Sequence, residues 1–162
     1  MIKTGILTIS DKGSRNERAD GTGPAIQNSL DENIYAVEYY KIIPDEMDLI
    51  CEELIHMCDD LKLDLILTNG GTGFSKRDVT PEATLKVIKR PTPGIPEAMR
   101  QMSLAITPKA MLSRAAAGIR DNTLIINLPG SPKGAVENLS FILPALPHGM
   151  EILKGTGGEC AR

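Results

Sequence analysis

The sequence predicts a single three-layer α/β domain, a mostly parallel central sheet with helices on both faces. Apolar, strand-like runs recur at Ile2 to Ile9, Tyr35 to Ile43, Leu63 to Thr68 and Thr123 to Leu128. Stretches with helical spacing separate them, as alternating β and α units require. At 162 residues with 41% hydrophobic content, the chain is long enough for one domain with a sizeable core. The domain is expected over 1–154, with 155–162 as a C-terminal tail.

The first strand ends at Ser10-Asp11, and a polar loop runs from Lys12 to Gly23. Pro24 then opens a helix over Ala25 to Leu30. The second strand ends at Pro44-Asp45-Glu46, where Asp45 has the chemistry of a helix N-cap. Met47, Ile50, Cys51, Leu54, Ile55 and Cys58 follow as an apolar stripe at helical spacing. The third strand carries the near-continuous apolar run Leu63 to Leu67, suited to burial on both faces. Thr80-Pro81-Glu82 starts a helix reaching about Ile88, with proline in the favoured first turn.

Arg90 to Pro96 reads as a connection, and Glu97 to Ile106 as a helix with Met99, Met102 and Ile106 inward. Met111 to Ala117 is expected to be a strand or packed extended segment, and Gly118 to Asn122 a turn. Thr123 to Leu128 is the last strand, followed by the loop Pro129 to Gly134. Ala135 to Leu153 is helical, with Pro144 and Pro147 forcing a kink or restart.

Composition narrows the function classes. The formal net charge of −3 offers no general surface for nucleic acid or an anionic membrane. With no Trp, two Phe and three Tyr, base-stacking platforms are scarce. The three cysteines, Cys51, Cys58 and Cys160, read as packing thiols rather than disulfide partners. Neither His56 nor His148 sits in a Cys/His cluster. Met1-Ile2-Lys3 leads straight into a strand and no run reaches membrane-spanning length, so a cytoplasmic location is expected.

The chemistry concentrates in Thr68 to Glu82. Gly70, Gly71 and Gly73 let backbone amides approach an anion, and the helix after Val79 adds a partial positive charge. Lys76 and Arg77 add cations, and Asp78 adds a carboxylate for a metal ion or proton. The run is neither a P-loop, because Ser75 stands where a second glycine must precede Lys76, nor a Rossmann fingerprint, because Lys76 occupies the third glycine position. It reads as a phosphate-binding loop of another kind. In parallel sheets ligands lie beyond the C-terminal strand ends. That rule gathers Ser10-Asp11, Asp45, the Thr68–Asp78 loop and the Pro129–Gly134 loop on one edge.

The segments Thr68-Asn69-Gly70-Gly71-Thr72-Gly73 and Arg77-Asp78-Val79-Thr80-Pro81-Glu82-Ala83 resemble the signature of the Mog/MoaB family of molybdenum-cofactor proteins. Ile6 to Asp11, Ile43 to Glu46, Met111 to Ala115 and Asn127 to Pro132 extend the resemblance over nearly the whole chain. It implies adenylylation of molybdopterin: the molybdopterin phosphate attacks the α-phosphorus of ATP and pyrophosphate leaves. The family's essential aspartates match Asp45 and Asp78, which are also the expected Mg²⁺ ligands. Substrate contacts are expected from Ser10, Asp11, Thr68, Asn69, Gly70, Gly71, Thr72, Gly73, Arg77, Thr80, Pro81 and Glu82, with ATP phosphates on the glycine loop. Ser113, Arg114, Pro129, Gly130 and Ser131 are assigned to the pterin end, with Arg114 as a fork for its phosphate. Asn69 departs from the Asp or Thr that other members often carry. The resemblance further implies a homotrimer and hand-over of the product to a molybdate-insertion protein.

Overall fold

The computed structural model describes residues 1–156, so Cys160 and most of the expected tail lie outside the described residues. Six strands form one sheet in the order β2-β1-β3-β6-β5-β4. They are β1 (Ile2–Ile9), β2 (Tyr35–Ile43), β3 (Leu65–Asn69), β4 (Arg90–Pro91), β5 (Ala117–Arg120) and β6 (Thr123–Leu128). The pairs β2-β1, β1-β3 and β3-β6 are parallel, with Leu67 opposite Ile6 on one side and Ile126 on the other. The pairs β6-β5 and β5-β4 at one edge are antiparallel, so β5 alone runs against the other strands.

Strands β1, β3 and β6 are buried on both faces, which is why they read as apolar runs rather than alternating ones, whereas β2 at the sheet edge is only partly buried. Leu65, Leu67 and Ile126 pack against α2 (Thr22–Ser29), α5 (Gly94–Leu104), α6 (Pro132–Ile142) and α7 (Leu146–Leu153). Leu7, Ile66 and Ile125 pack against α3 (Met47–Ile55) and α4 (Thr80–Val87). A short helix, α1 (Asp11–Ser14), leaves β1 at once, capped by Ser10 Oγ accepting from the Gly13 amide at 3.0 Å.

Several expectations need correction. Helix α2 begins at Thr22 rather than Ala25, because Asp20 accepts from the Thr22 and Gly23 amides and starts it early. Asp45 does not cap α3: Glu46 holds that position without a side-chain cap bond, and Asp45 turns toward Asp11. In α5 the inward stripe is Ile95, Met99 and Ser103, so Met102 lies one residue off it and is 47% exposed. Ile106, beyond the end of α5, is 55% exposed.

Of Met111 to Ala117, the first two residues belong to a 3₁₀ turn, Pro108–Leu112, and the rest follow the second alternative, a packed segment with Ser113 extended and Ala115 buried, until β5 opens at Ala117. Gly118, expected in a turn, is paired within β5, where a Cβ would run into Ile88 and the Arg90 carbonyl. The turn is Asp121-Asn122 alone, with Asp121 at φ 50°.

Candidate active site

The C-terminal ends of β1, β2, β3 and β6 deliver Ser10, Asp45, the glycine loop and Gly130-Ser131 to one edge of the sheet, around a cleft of about 650 Å³. Gly70 turns the chain at φ 93°, where a Cβ would strike the Ile9 carbonyl, and Gly71 follows at φ 67°. Glycine is therefore required at both positions. Gly70 also packs against Gly130, whose added Cβ would lie 3.2 Å from the Gly70 Cα. Two strand-end loops thereby form one continuous wall. Among the described residues, the amides of Gly71 and Thr72 donate to no protein acceptor.

Asp45 and Asp78 both line this cleft. Asp45 Oδ2 accepts from the Asp11 amide at 2.9 Å. Asp78 Oδ2 accepts from the Gly73 and Ser75 amides, each at 3.1 Å. Among the described residues no hydrogen bond engages Oδ1 of either carboxylate. Burial pushes the Asp45 carboxyl above its ordinary pKa, and the charges of Asp11 and Asp78 add to the rise. Asp11 is shifted the other way, because Arg77 forks onto it with bonds of 3.0 and 2.9 Å. Arg77 also reaches Glu46 at 2.7 Å.

No group of three or more His, Cys, Asp or Glu among the described residues forms a closed metal cage. Two carboxylates with an oxygen each to offer suit Mg²⁺, which keeps water and takes phosphate oxygens for the rest of its shell. The donor set therefore fits that ion at Asp45 and Asp78.

A second cleft of about 320 Å³ lies beside the first, and Ser131 borders both. Thr72, Gly73, Ser113 and Pro129 line it, with Arg100 and Lys109 as its cations. Of the remaining expected residues, Asn69, Gly70, Gly71 and Ser10 line the first cleft. Asp11, Thr68, Arg77, Thr80, Pro81 and Glu82, also expected as contacts, are not in the lining of either cleft. Thr68 Oγ1 accepts from Asn127, and the buried Thr80 hydroxyl has no partner among the described residues. Ser131 Oγ accepts from the Gly134 amide and caps α6. Arg114 lines neither cleft: it donates to the Gly73 and Asp78 carbonyls and pairs with Glu82.

Sequence reasoning missed Asp20, which lines the first cleft. Its Oδ2 accepts from Thr8 Oγ1 at 2.6 Å and from the Tyr40 hydroxyl at 2.5 Å, and Thr8 accepts from Asn69 Nδ2 at 2.9 Å. This chain of bonds fixes which way the Asn69 amide faces, since an ionised carboxylate can only accept. Burial alone would raise the Asp20 pKa, but those hydroxyls and the Gly23 and Thr22 amides bring it below its ordinary value. Tyr40 is correspondingly pushed up to about 12 by burial and by Asp20. The signal was an acid directly before Gly21-Thr22-Gly23-Pro24, an N-cap pattern hidden in a polar loop.

The model of the family described as "probable molybdopterin binding domain" matches residues 5–148. The chain belongs to this family. A molybdopterin adenylyltransferase from Helicobacter pylori strain 26695 is 47% identical over 156 residues, which cover 95% of this chain and 89% of that protein. Its counterpart from Escherichia coli K12 is 37% identical over 175 residues, covering 99% and 89%. The crystal structure of the molybdopterin biosynthesis enzyme MoaB from Thermus thermophilus superimposes with a TM-score of 0.91 at 51% identity, covering 96% of this chain and 98% of that one. No helix among the described residues is long and apolar enough to cross a membrane.

Proposed function

We propose that this member of the family transfers the adenylyl group of ATP to molybdopterin. An oxygen of the molybdopterin phosphate attacks the α-phosphorus, a new P–O bond forms, and the bond to the leaving pyrophosphate breaks. The observation that carries this reading is the pair Asp45 and Asp78. They face one cleft with an oxygen each to offer, against a wall of glycine-loop amides. Its kinship with the adenylyltransferases makes the chain an enzyme of molybdenum-cofactor biosynthesis.

Transfer at phosphorus asks the protein for alignment and charge neutralisation more than covalent help. The first cleft takes ATP, with the Gly71 amide supplying a donor to a phosphate oxygen, while the Thr72 amide stands on the side of the second cleft. The second takes the pterin end between Ser113, Pro129 and Ser131, with Arg100 and Lys109 able to neutralise its phosphate. Ser131 and the Gly70–Gly73 wall separate the two by little, so the attacking oxygen and the α-phosphorus meet at their shared border. Asp45 and Asp78 hold Mg²⁺, which when bound neutralises phosphate charge and draws electron density from phosphorus.

Support for a homotrimer comes from an apolar groove of about 450 Å³ along α5, α6 and α7, lined by Ile95, Phe141, Leu146 and Leu153. The supply of ATP in the cytoplasm supports that location for the reaction, and the adenylylated product passes to a molybdate-insertion protein. The test is pyrophosphate release from Mg-ATP by the purified protein with and without molybdopterin. Release only when both are present supports transfer. Tight binding of molybdopterin with no release makes the chain a binding protein of the same pathway instead.

A further inference from the structure

Arg114 was the expected fork for the pterin phosphate, yet its bonds all run to the glycine loop and the helix behind it. Its backbone amide donates to the Thr72 carbonyl at 2.9 Å. Nε donates to the Gly73 carbonyl at 2.7 Å, and Nη2 donates to the Asp78 carbonyl at 2.7 Å. Nη1 pairs with the Glu82 carboxylate in the first turn of α4. From inside the same loop, Asp78 Oδ2 takes the Gly73 and Ser75 amides. The loop is thus closed twice, once by the guanidinium and once by the carboxylate that faces the cleft.

We propose that Arg114 is a positioning residue whose guanidinium, by gripping the loop at Gly73 and Asp78, aims the Asp78 carboxylate into the ATP cleft. The assignment of that cleft to ATP rests on the function proposed above; the grip itself does not. Three acceptors, each met by a different nitrogen, match the fork of a guanidinium and not the single nitrogen of an ammonium. The arginine is itself held from behind: Arg100 Nη1 donates to the Ser113 and Ala115 carbonyls at 3.2 and 3.0 Å, fixing the segment on both sides of Arg114. Because Arg100 and Ser113 border the second cleft, the brace joins the walls of both clefts through one side chain.

The experiment uses the full chain as wild type, Arg114→Lys, Asp78→Asn and the double variant. It reads kcat, the KM for molybdopterin, and amide hydrogen exchange at Gly73 and Ser75 without ligand. Arg114→Lys should lower kcat about 10- to 100-fold, the scale of one or two lost charge-assisted hydrogen bonds, with the molybdopterin KM within about twofold of wild type. It should cost nothing further in the Asp78→Asn background, since the two residues act as one unit. Exchange at Gly73 and Ser75 should speed up about tenfold or more, as their acceptor loosens.

A rise in molybdopterin KM of equal size in both backgrounds, with kcat kept, would make Arg114 a phosphate ligand and overturn the proposal. Unchanged exchange at Gly73 and Ser75 would overturn it as well. If wild type does not turn over, the adenylylation reading fails, while the exchange rates still decide the positioning role. Should Arg114→Lys not fold, Glu82→Gln loosens the same guanidinium from α4 and must give the same pattern at smaller size.

Discussion

Asp11 and Asp45 bind each other's backbones: the Asp11 amide donates to Asp45 Oδ2 at 2.9 Å, and the Asp45 amide donates to Asp11 Oδ1 at 3.0 Å. The two residues follow the C-terminal ends of neighbouring parallel strands, so this exchange stitches β1 to β2 just where the cleft begins. The partners are chemically unequal. Arg77 forks onto Asp11 and keeps it acidic, whereas Asp45 is raised by burial and by two neighbouring carboxylates. A carboxylate kept at such a cost in a cleft fits a ligand-binding group better than a cap.

That inequality predicts the behaviour of Asp45→Asn. The folded pKa of Asp45 lies above its unfolded value, so ionising it favours the unfolded chain. Its contribution to stability is fully present below the unfolded value of about 3.9 and is lost as pH rises through the folded one. The amide oxygen of the substituted side chain can still accept from the Asp11 amide without that charge. The variant should therefore melt at or above wild type at pH 7, with the advantage shrinking as pH falls toward about 4. Its adenylylation should drop at least about 10²-fold. A variant that melts well below wild type at pH 7 and keeps its turnover would assign Asp45 a purely structural role.

Asp78→Asn separates chemistry from folding at the glycine loop. Asparagine retains an oxygen for the Gly73 and Ser75 amides but weakens the metal site. Melting should stay near wild type, and turnover should fall by about 10²-fold or more. Near-normal turnover would remove Asp78 from the site.

Asp20 carries the opposite pH signature. Its folded pKa is lowered, so its contribution is present above the unfolded value near 3.9 and is lost as pH falls through the folded one. Asp20→Ala leaves the Thr22 and Gly23 amides and two hydroxyls without their acceptor, which should cost about 1–3 kcal/mol at pH 7. Denaturant melts of wild type and variant should converge as the pH falls below about 4. A gap that stays constant from pH 7 to pH 3 would mean that Asp20 is not ionised in the fold.

Assembly is read by sedimentation. Wild type should run as three copies at micromolar concentration, and Phe141→Glu, which puts a charge in the apolar groove, should dissociate it. A wild-type monomer under those conditions contradicts the trimer.

How far the sequence carried these conclusions depended on the range of the interaction. The bounds of β1 and β6 coincide with their apolar runs, because burial on both faces leaves little freedom in which residues belong there. The convergence of Asp45, Asp78 and the glycine loop was legible for the same reason: parallel topology fixes which strand ends share an edge. Strand β5 escaped notice because its Gly118 answers to Ile88 and Arg90, residues distant in sequence that only the folded chain brings close. The work of Arg114 was hidden likewise, since Gly73, Asp78 and Glu82 lie 41, 36 and 32 residues away. Asp45 had the residue type and place of a cap, and only the Asp11 amide across the strand gap shows why it turned away.

The fate of the α-phosphorus separates adenylyl transfer from mere binding. ATP labelled at that position should be incubated with Mg²⁺, molybdopterin and the purified protein, and the label traced. Adenylyl transfer puts the label in an adenylylated pterin formed one-for-one with pyrophosphate, and puts none there when molybdopterin or Mg²⁺ is left out. Label that stays in ATP, or leaves as free AMP whether or not molybdopterin is present, contradicts it.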